Sequence, residues 1–447
     1  MSIKVNFISL GCPKNQLDSE VMLAKCVAAG MEIVQEDINA DVVVVNTCAF
    51  IDSAKSEAIE TILDVNWLRE NKSLKAIICT GCLAQRYKQE LFTQLPEIDA
   101  VIGVGNLDNI TEAIEYAYNN SGKKEVKKYC RTDAPEAQAL GGDRVVTTPE
   151  YSVYIKISEG CDNKCAYCII PSLRGKFRSR PIEDIVKEAS EMVSLGAKEL
   201  IIVSQDTTKY GKDLYGKPCL DVLLNELCKI DGVKWIRLLY CYAEEITESL
   251  VDTIAAQDKI VNYIDMPIQH LSDSVLKRMN RRDTKELIYN KIAMIRSKIP
   301  DCVLRTTVIT GFPGETGDDF AILAQGVEEL KFERLGAFAW SDEEGTAAHL
   351  MDGKLSEKIK NRRMDTIMLS QMKIHEDWNK KQVGKVFEVL CEGYDPAAGV
   401  HYGRSKYDAP DIDGKVYFSA PSKLKPGTFV NVKITEVVEY DLFGSTI

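Results

Sequence analysis

Through the first 120 residues, short apolar and β-branched runs alternate with stretches whose apolar residues recur every three or four positions. The runs at 4–10, 41–45, 75–79 and 100–104 predict strands, because a short continuous apolar segment suits a strand covered on both faces. The periodic stretches at 17–29, 52–71, 84–95 and 107–119 predict helices between them. This alternation is the signature of a doubly wound parallel sheet. Residues 121–150 lose the pattern: Ser121-Gly122-Lys123-Lys124 and Gly141-Gly142-Asp143 are polar and turn-rich. A linker is expected there. From residue 151 the alternation resumes, with strands expected at 153–158, 200–204, 235–240, 263–266, 303–309 and 335–340. Six such units predict an incomplete (β/α)6 barrel.

A long amphipathic helical run at 356–381 follows, and beyond residue 384 the period becomes short and alternating. The segments 385–391, 399–403, 415–419 and 429–438 read as strands of a small antiparallel β-barrel. The fold class expected is therefore α/β, in three parts. An N-terminal domain spans 1–120, a barrel core follows the 121–150 linker over 151–378, and a C-terminal β-barrel spans 379–447.

Composition narrows the setting. Fourteen cysteines in 447 residues are too sparse for a disulfide scaffold and are grouped in short motifs, which indicates metal binding in a reducing compartment. The first residues lack the cationic flank and long apolar run of a secretion signal. No apolar run approaches the roughly 20 residues of a membrane helix. A cytoplasmic protein without membrane attachment is expected. The net charge of −11 argues against a broad nucleic-acid surface and permits a basic partner.

The densest chemistry is Cys161-Asp162-Asn163-Lys164-Cys165-Ala166-Tyr167-Cys168, directly after the first barrel strand. Three thiols at such gaps can turn toward one metal centre. A structural zinc site would need a fourth Cys or His at ligand spacing, and no His occurs in the hundred residues that follow Cys168. Three thiolates on a cubane cluster would leave one iron open to a substrate.

Three further cysteines follow predicted strands: Cys12 in Gly11-Cys12-Pro13-Lys14-Asn15, Cys48 in Asn46-Thr47-Cys48, and Cys82 in Thr80-Gly81-Cys82. The carboxyl ends of parallel strands share one edge, so these three can converge as a second cluster site. Three separate buried thiols are the alternative. Gly11 and Gly81 would admit a bulky cluster close to the backbone. Cys26, Cys79 and Cys130 read as packing or linker residues. In the barrel, Gln205 and Asp206, Gln269 and His270, and Thr310-Gly311-Phe312-Pro313-Gly314-Glu315 occupy the ends of the second, fourth and fifth strands. The two glycines suit close approach to a ligand or an ordinary tight turn.

Cys161-x-x-x-Cys165-x-Tyr167-Cys168 resembles the radical S-adenosylmethionine (SAM) signature. The resemblance implies a [4Fe-4S] cluster on Cys161, Cys165 and Cys168, with SAM on its open iron. It also implies SAM contacts from Tyr167 and from the loop holding Gly311 and Gly314, and their placement after strands makes Gln205 and Gln269 further candidates for the same cofactor. The C-terminal barrel resembles a TRAM domain, and the three-domain order with Cys12, Cys48 and Cys82 resembles the methylthiotransferases along the whole chain. That family implies an auxiliary [4Fe-4S] cluster on those three cysteines and an electron donor such as flavodoxin.

Members of the family modify either adenosine in tRNA or an aspartate of the small-subunit ribosomal protein numbered twelve. Pro13-Lys14-Asn15, Val203-Ser204-Gln205-Asp206-Thr207 and Gly403-Arg404-Ser405-Lys406-Tyr407-Asp408-Ala409-Pro410 resemble the protein-modifying branch. The tRNA enzymes typically have Gln-Met-Asn after the first cysteine. Residues 382–447 carry seven Lys or Arg against nine Asp or Glu, which suits a basic protein on the ribosome better than an RNA backbone. A tRNA methylthiotransferase and a non-enzymatic iron–sulfur carrier are the competing readings.

Overall fold

The computed structural model describes residues 2–123 and 126–447; Met1 and, within the expected linker, Lys124 and Glu125 lie outside the described residues. The chain divides into two compact units. The first comprises Met1–Thr147, Ser158–Arg180 and Glu343–Thr346; the second comprises Thr148–Ile157, Pro181–Asp342 and Ala347–Ile447.

The first unit is built on a parallel sheet of β1 (Lys4–Ser9), β2 (Glu32–Ile33), β3 (Val42–Thr47), β4 (Ala76–Gly81), β5 (Ala100–Ile102) and β6 (Tyr129–Arg131), in the order β2-β1-β3-β4-β5-β6. Val42, Val43, Val44 and Val45 are all fully buried, which is why β3 reads as unbroken valine: its two faces meet two separate apolar clusters. The helices are α1 (Pro13–Ala28), α2 (Asp52–Asn71), α3 (Cys82–Tyr87), α4 (Leu91–Gln94) and α5 (Ile110–Asn120).

Several expected elements differ from the observed ones. The first helix starts at Pro13, where a proline suits the first helical position, four residues before the apolar period begins. The helix expected at 84–95 breaks at Lys88, whose φ is +51°; no glycine or proline announces that break. The one expected at 107–119 opens as a 3-10 turn over Val104–Asn109. Residues 121–150, expected as a linker, contain β6, paired in parallel with β5 from Ala100–Tyr129 to Ile102–Arg131. A three-residue, partly polar edge strand carries too little periodicity to be seen.

After β7 (Ser152–Lys156), which belongs to the second unit, the chain supplies the first unit with the paired strands β8 (Ser158–Glu159) and β9 (Arg178–Ser179) and the helix α6 (Ile170–Arg174). Ile169 and Leu173 pack into the same apolar cluster as Val43, Val45, Cys82 and Leu83. The segment bearing the Cys161 motif thus packs with the first compact unit.

In the second unit β7 joins β10 (Glu199–Val203), β11 (Trp235–Leu238), β12 (Ile260–Asp265), β13 (Val303–Thr310) and β14 (Arg334–Ala339). The order β14-β13-β12-β11-β10-β7 steps to a neighbour at every crossover, as in an open (β/α)6 arrangement. The 24-residue helix Glu357–Lys380 follows. The last strands, β15 (Val386–Asp395), β16 (Val400–Ser405), β17 (Val416–Ser419), β18 (Phe429–Val438) and β19 (Asp441–Thr446), close as β15-β16-β17-β19-β18. Phe387, Val389, Cys391, Val416, Phe418, Val432, Ile434 and Leu442 fill its interior. Two features correct the expected antiparallel barrel. It has a fifth strand, β19, reached through a two-residue turn at Glu439 (φ +53°) and Tyr440 that lacks the usual Asn-Gly signal. And β17 and β19 pair in parallel. No helix among the described residues is long and apolar enough to cross a membrane.

His375, on the Glu357–Lys380 helix, is buried against Tyr440. Burial, then the Arg334 guanidinium, lower its pKa to about 4. The folded chain therefore refuses a proton that the unfolded chain accepts below its ordinary value. Stability contributed above that value should be lost as pH falls from about 6.5 to 4, by about 3 kcal/mol in total. Urea titrations of chelator-stripped protein should show this slope, and His375→Gln should flatten it.

Candidate functional site

The sheet order of the first unit reverses direction between β1 and β3, and ligands of open parallel sheets gather at such a switch point beyond the strand ends. Cys12 sits at the N-cap of α1, shortly after β1; Cys48 directly follows β3; Cys82 opens α3 directly after β4. The register pairs Ser9 with Asn46 and Thr47 with Gly81, so the three cysteine-bearing ends are adjacent. A Cβ built on Gly11 would lie 2.6 Å from the Cys48 Cβ and 3.0 Å from its sulfur.

Burial, then Cys12 and Cys48 against the opposing Arg174 guanidinium, push the Cys82 thiol up to about 11. Burial and Cys12 likewise raise Cys48. The three cysteines thus sit at neighbouring strand ends of one sheet edge. Asn15 braces them: its side-chain amide donates to the carbonyls of Leu10 at 2.9 Å and Thr47 at 3.1 Å. Asn46 returns a bond to the Asn15 carbonyl at 2.7 Å.

Packing within the chain by itself accounts for the glycines beside these cysteines. Gly81 has φ +88°, and a Cβ there would meet the Asn46 Oδ1 at 2.3 Å and the Thr47 carbonyl at 2.6 Å. It is the neighbouring strand end, as at Gly11, that demands glycine.

Cys161, Cys165 and Cys168 form a second set within the same unit. The loop is closed by the Cys161 N–H donating to the Gly175 carbonyl at 3.1 Å and the Cys168 N–H donating to the Cys165 carbonyl at 3.0 Å. The Phe177 N–H donates to Asp162. Burial and Cys165 push the Cys168 thiol above its ordinary range; Cys161 adds to this and the Ile170 N–H opposes it. Cys161 and Cys165 are buried.

Among the described residues no three His, Cys, Asp or Glu side chains meet in a geometry for a single metal ion. No disulfide joins cysteines among the described residues. Cys26 and Cys79 are fully buried packing residues, and Cys130 lies in β6.

In the second unit, Gln205 follows β10 and Gln269 follows β12, while Gly311 and Gly314 follow β13, all at the carboxyl ends of parallel strands. Gln269 has φ +66° and bridges to β13, its N–H donating to Thr307 and its carbonyl accepting from Ile309. A Cβ on Gly311 would meet the Lys360 side chain at 2.2 Å, and one on Gly314 the Arg278 guanidinium at 2.6 Å. The turn of this loop is therefore explained by packing within the chain. His270 is a wall residue: its Nδ1 accepts from the Ser272 N–H at 2.9 Å, and its Nε2 lies 3.5 Å from Glu315. Asp206 accepts from the Thr208 hydroxyl. Tyr167 belongs to the first unit.

Two groups were not anticipated. Glu343, 2% exposed, accepts from Lys55 and Arg86, which ties Glu343–Thr346 to the first unit. Arg174, 1% exposed, reaches Asp18, Asn15, Glu159 and the Cys82 sulfur. Its setting among Ile169, Ile170, Pro171 and Leu173 was the available signal, since an arginine in an apolar turn needs a buried partner.

Three family models match the chain: "Uncharacterized protein family UPF0004" over residues 4–103, "Radical SAM superfamily" over 155–325 and "TRAM domain" over 383–447. Among curated relatives, ribosomal protein uS12 methylthiotransferase RimO of Clostridioides difficile is 49% identical, covering 100% of this chain and 99% of the relative. The RimO of Clostridium acetobutylicum is 48% identical over 99% of this chain and 98% of its own. Among solved structures, the radical SAM methyltransferase TsrM from Kitasatospora setae, with cobalamin and a [4Fe-4S] cluster bound, shares the fold. It superposes with a TM-score of 0.57 at 14% identity, over 78% of this chain and 77% of TsrM.

Proposed function

Since the chain belongs to the RimO family of radical SAM methylthiotransferases, we propose that it replaces a hydrogen on the β-carbon of an aspartate in ribosomal protein uS12 by a methylthio group. The observation that carries this reading is the assembly of two three-thiol sets on one compact unit. When bound, a [4Fe-4S] cluster with SAM on the Cys161 set supplies the 5′-deoxyadenosyl radical, and an auxiliary [4Fe-4S] cluster on the Cys12 set supplies the place where sulfur awaits transfer. A radical route suits the target, because a hydrogen beside an ionised carboxylate is beyond ordinary acid–base catalysis.

The chain's own part is to hold and exclude. Cys161, Cys165 and Cys168 present three sulfurs from a loop fastened to Gly175, and Cys12, Cys48 and Cys82 present three from a braced sheet edge. The burial of Cys48, Cys82, Cys161 and Cys165 keeps water from those sulfurs. Tyr167, Gln205, Gln269, Gly311 and Gly314 are proposed SAM contacts; placement after strands supports the last four.

The substrate reading draws support from charge. An acidic chain with a C-terminal barrel that is not basic complements a basic ribosomal protein, presented on the ribosome, better than tRNA. The reaction takes its electrons from a donor such as flavodoxin in the cytoplasm.

Reconstituted protein, given SAM, a reductant, and either ribosomal subunits or bulk tRNA, should add the mass of a methylthio group to uS12 alone. Methylthiolated nucleosides in the tRNA with unmodified uS12 would overturn the substrate assignment.

A further inference from the structure

We propose that Arg174 is a positioning residue for the auxiliary cluster, donating a hydrogen bond to the Cys82 sulfur that fixes this ligand and tunes the electron affinity of what it holds. The proposal rests on the two-cluster reading above. The Arg174 Nη2 lies 3.5 Å from the Cys82 sulfur and 2.8 Å from the Asn15 Oδ1. Its other terminal nitrogen, Nη1, lies 2.5 Å from Asp18 and 3.5 Å from Glu159.

A guanidinium is planar and permanently charged, with its N–H bonds in a fixed fork. With Nη1 held by two carboxylates and Nη2 by Asn15, the plane cannot turn, so the N–H aimed at sulfur is set by the fold. All four partners are buried, with Asn15, Asp18 and Glu159 at 2% exposure or less. A charge-assisted bond in such a place is strong.

The location of this side chain gives it a second significance. Arg174 is the last residue of α6, which begins two residues after Cys168, and Glu159 lies two residues before Cys161. Asn15 and Asp18 lie on α1, whose N-cap is Cys12. One guanidinium thus joins the segment carrying the radical-type motif to two of the three cysteine-bearing ends of the other site. Hydrogen bonds to cluster sulfurs are among the determinants of reduction potential. An N–H on a thiolate withdraws electron density and favours the reduced state. Removing it should move the potential to more negative values.

The test uses full-length protein in which Cys161, Cys165 and Cys168 are replaced by alanine. About four irons remaining per chain is what the two-cluster reading requires; an iron-free protein would sink that reading before Arg174 is addressed. In the loaded protein, redox titration followed by electron paramagnetic resonance compares Arg174 with Arg174→Lys, which keeps the charge and loses the fork, and with Arg174→Gln. Both variants are expected to have a more negative midpoint potential. A folded variant that fails to retain iron supports the same assignment, since Cys82 is then no longer held. An unchanged midpoint at full iron content overturns it.

Should neither variant fold by circular dichroism, the unsubstituted Arg174 is probed instead, in protein labelled with 15N-arginine. Pulsed electron paramagnetic resonance of the reduced cluster is then expected to show a 15N coupling. Absence of that coupling overturns the proposal.

Discussion

Replacing Cys165 by alanine is expected to abolish 5′-deoxyadenosine release, whereas Cys48→Ala should spare SAM cleavage and lose methylthio transfer. The two substitutions are chemically identical and fall on the same compact unit, so a difference between them reports the two sulfur sets rather than the side chain removed. Cys165 is one of three thiols fastened by the loop that closes on Gly175 and is 7% exposed. No other cysteine stands within that loop to replace it. With two sulfurs left, the set should release its iron, and SAM should lose its anchor.

Cys48 sits across the switch point in the other set, against Gly11. Its loss leaves the Cys161 loop untouched. Each variant should retain the iron of the opposite set, measurable by iron and sulfide analysis together with Mössbauer spectra. Equal loss of deoxyadenosine from both, with both proteins folded, would count against separate roles for the two sets.

How far this arrangement was legible beforehand differs by element. Both parallel sheets could be read because β3 and β10 are continuous apolar runs, a pattern that survives without alignment or template. The adjacency of the strand ends that carry Cys12, Cys48 and Cys82 was also accessible, since each cysteine follows a strand and the strand ends of a parallel sheet share an edge. What escaped was structure whose cause lies far away in sequence. Lys88 breaks a helix with no local signal, β6 becomes a strand only by pairing with β5, and β19 depends on a turn that places Glu439 at positive φ.

The glycines carry the same lesson in reverse. Gly11, Gly81, Gly311 and Gly314 were visible as positions intolerant of a side chain. The neighbours that make them so are Cys48, Asn46, Lys360 and Arg278, none of them deducible from the local motif. Arg174 is the clearest case: the fold delivers it, through α6, to a sulfur 92 residues earlier in the chain. Only the packing of Ile169 and Leu173 into the N-terminal core reveals that delivery.

The second large effect concerns stability, and falls on Glu199. This carboxylate, fully buried at the start of β10, receives Arg404 at 2.6 Å, the Arg237 Nε at 2.9 Å and the Ser152 hydroxyl at 2.8 Å. Arg404 comes from the C-terminal barrel, where it also meets Glu392 at 2.7 Å. Glu199→Ala would leave Arg237 without its carboxylate and Arg404 with Glu392 in place of two, both guanidinium groups being 2% exposed or less. Breaking a buried ion pair in this way costs about 3–5 kcal/mol.

Arg404→Ala should cost less, because Arg237 still faces the carboxylate, and the double variant should cost less than the sum. The same site sets an acid limit. Burial by itself would raise the Glu199 pKa, but Arg404 and Arg237, with the hydrogen bonds from Arg404 and Ser152, overcome it and lower the value to about 2. A carboxyl depressed in the folded state contributes stability above its ordinary value of 4.5 and loses it as pH falls toward 2, here about 3 kcal/mol.

Urea titrations between pH 5 and pH 2.5 should show that loss in unsubstituted protein and a shallower one in Glu199→Gln. Iron bound by the six cysteines should be unaffected by Glu199→Ala at neutral pH, because those residues belong to the other unit. A variant that kept its full stability would mean that the two arginines find other partners, and the ion pair would then not be what fastens the C-terminal barrel to the sheet.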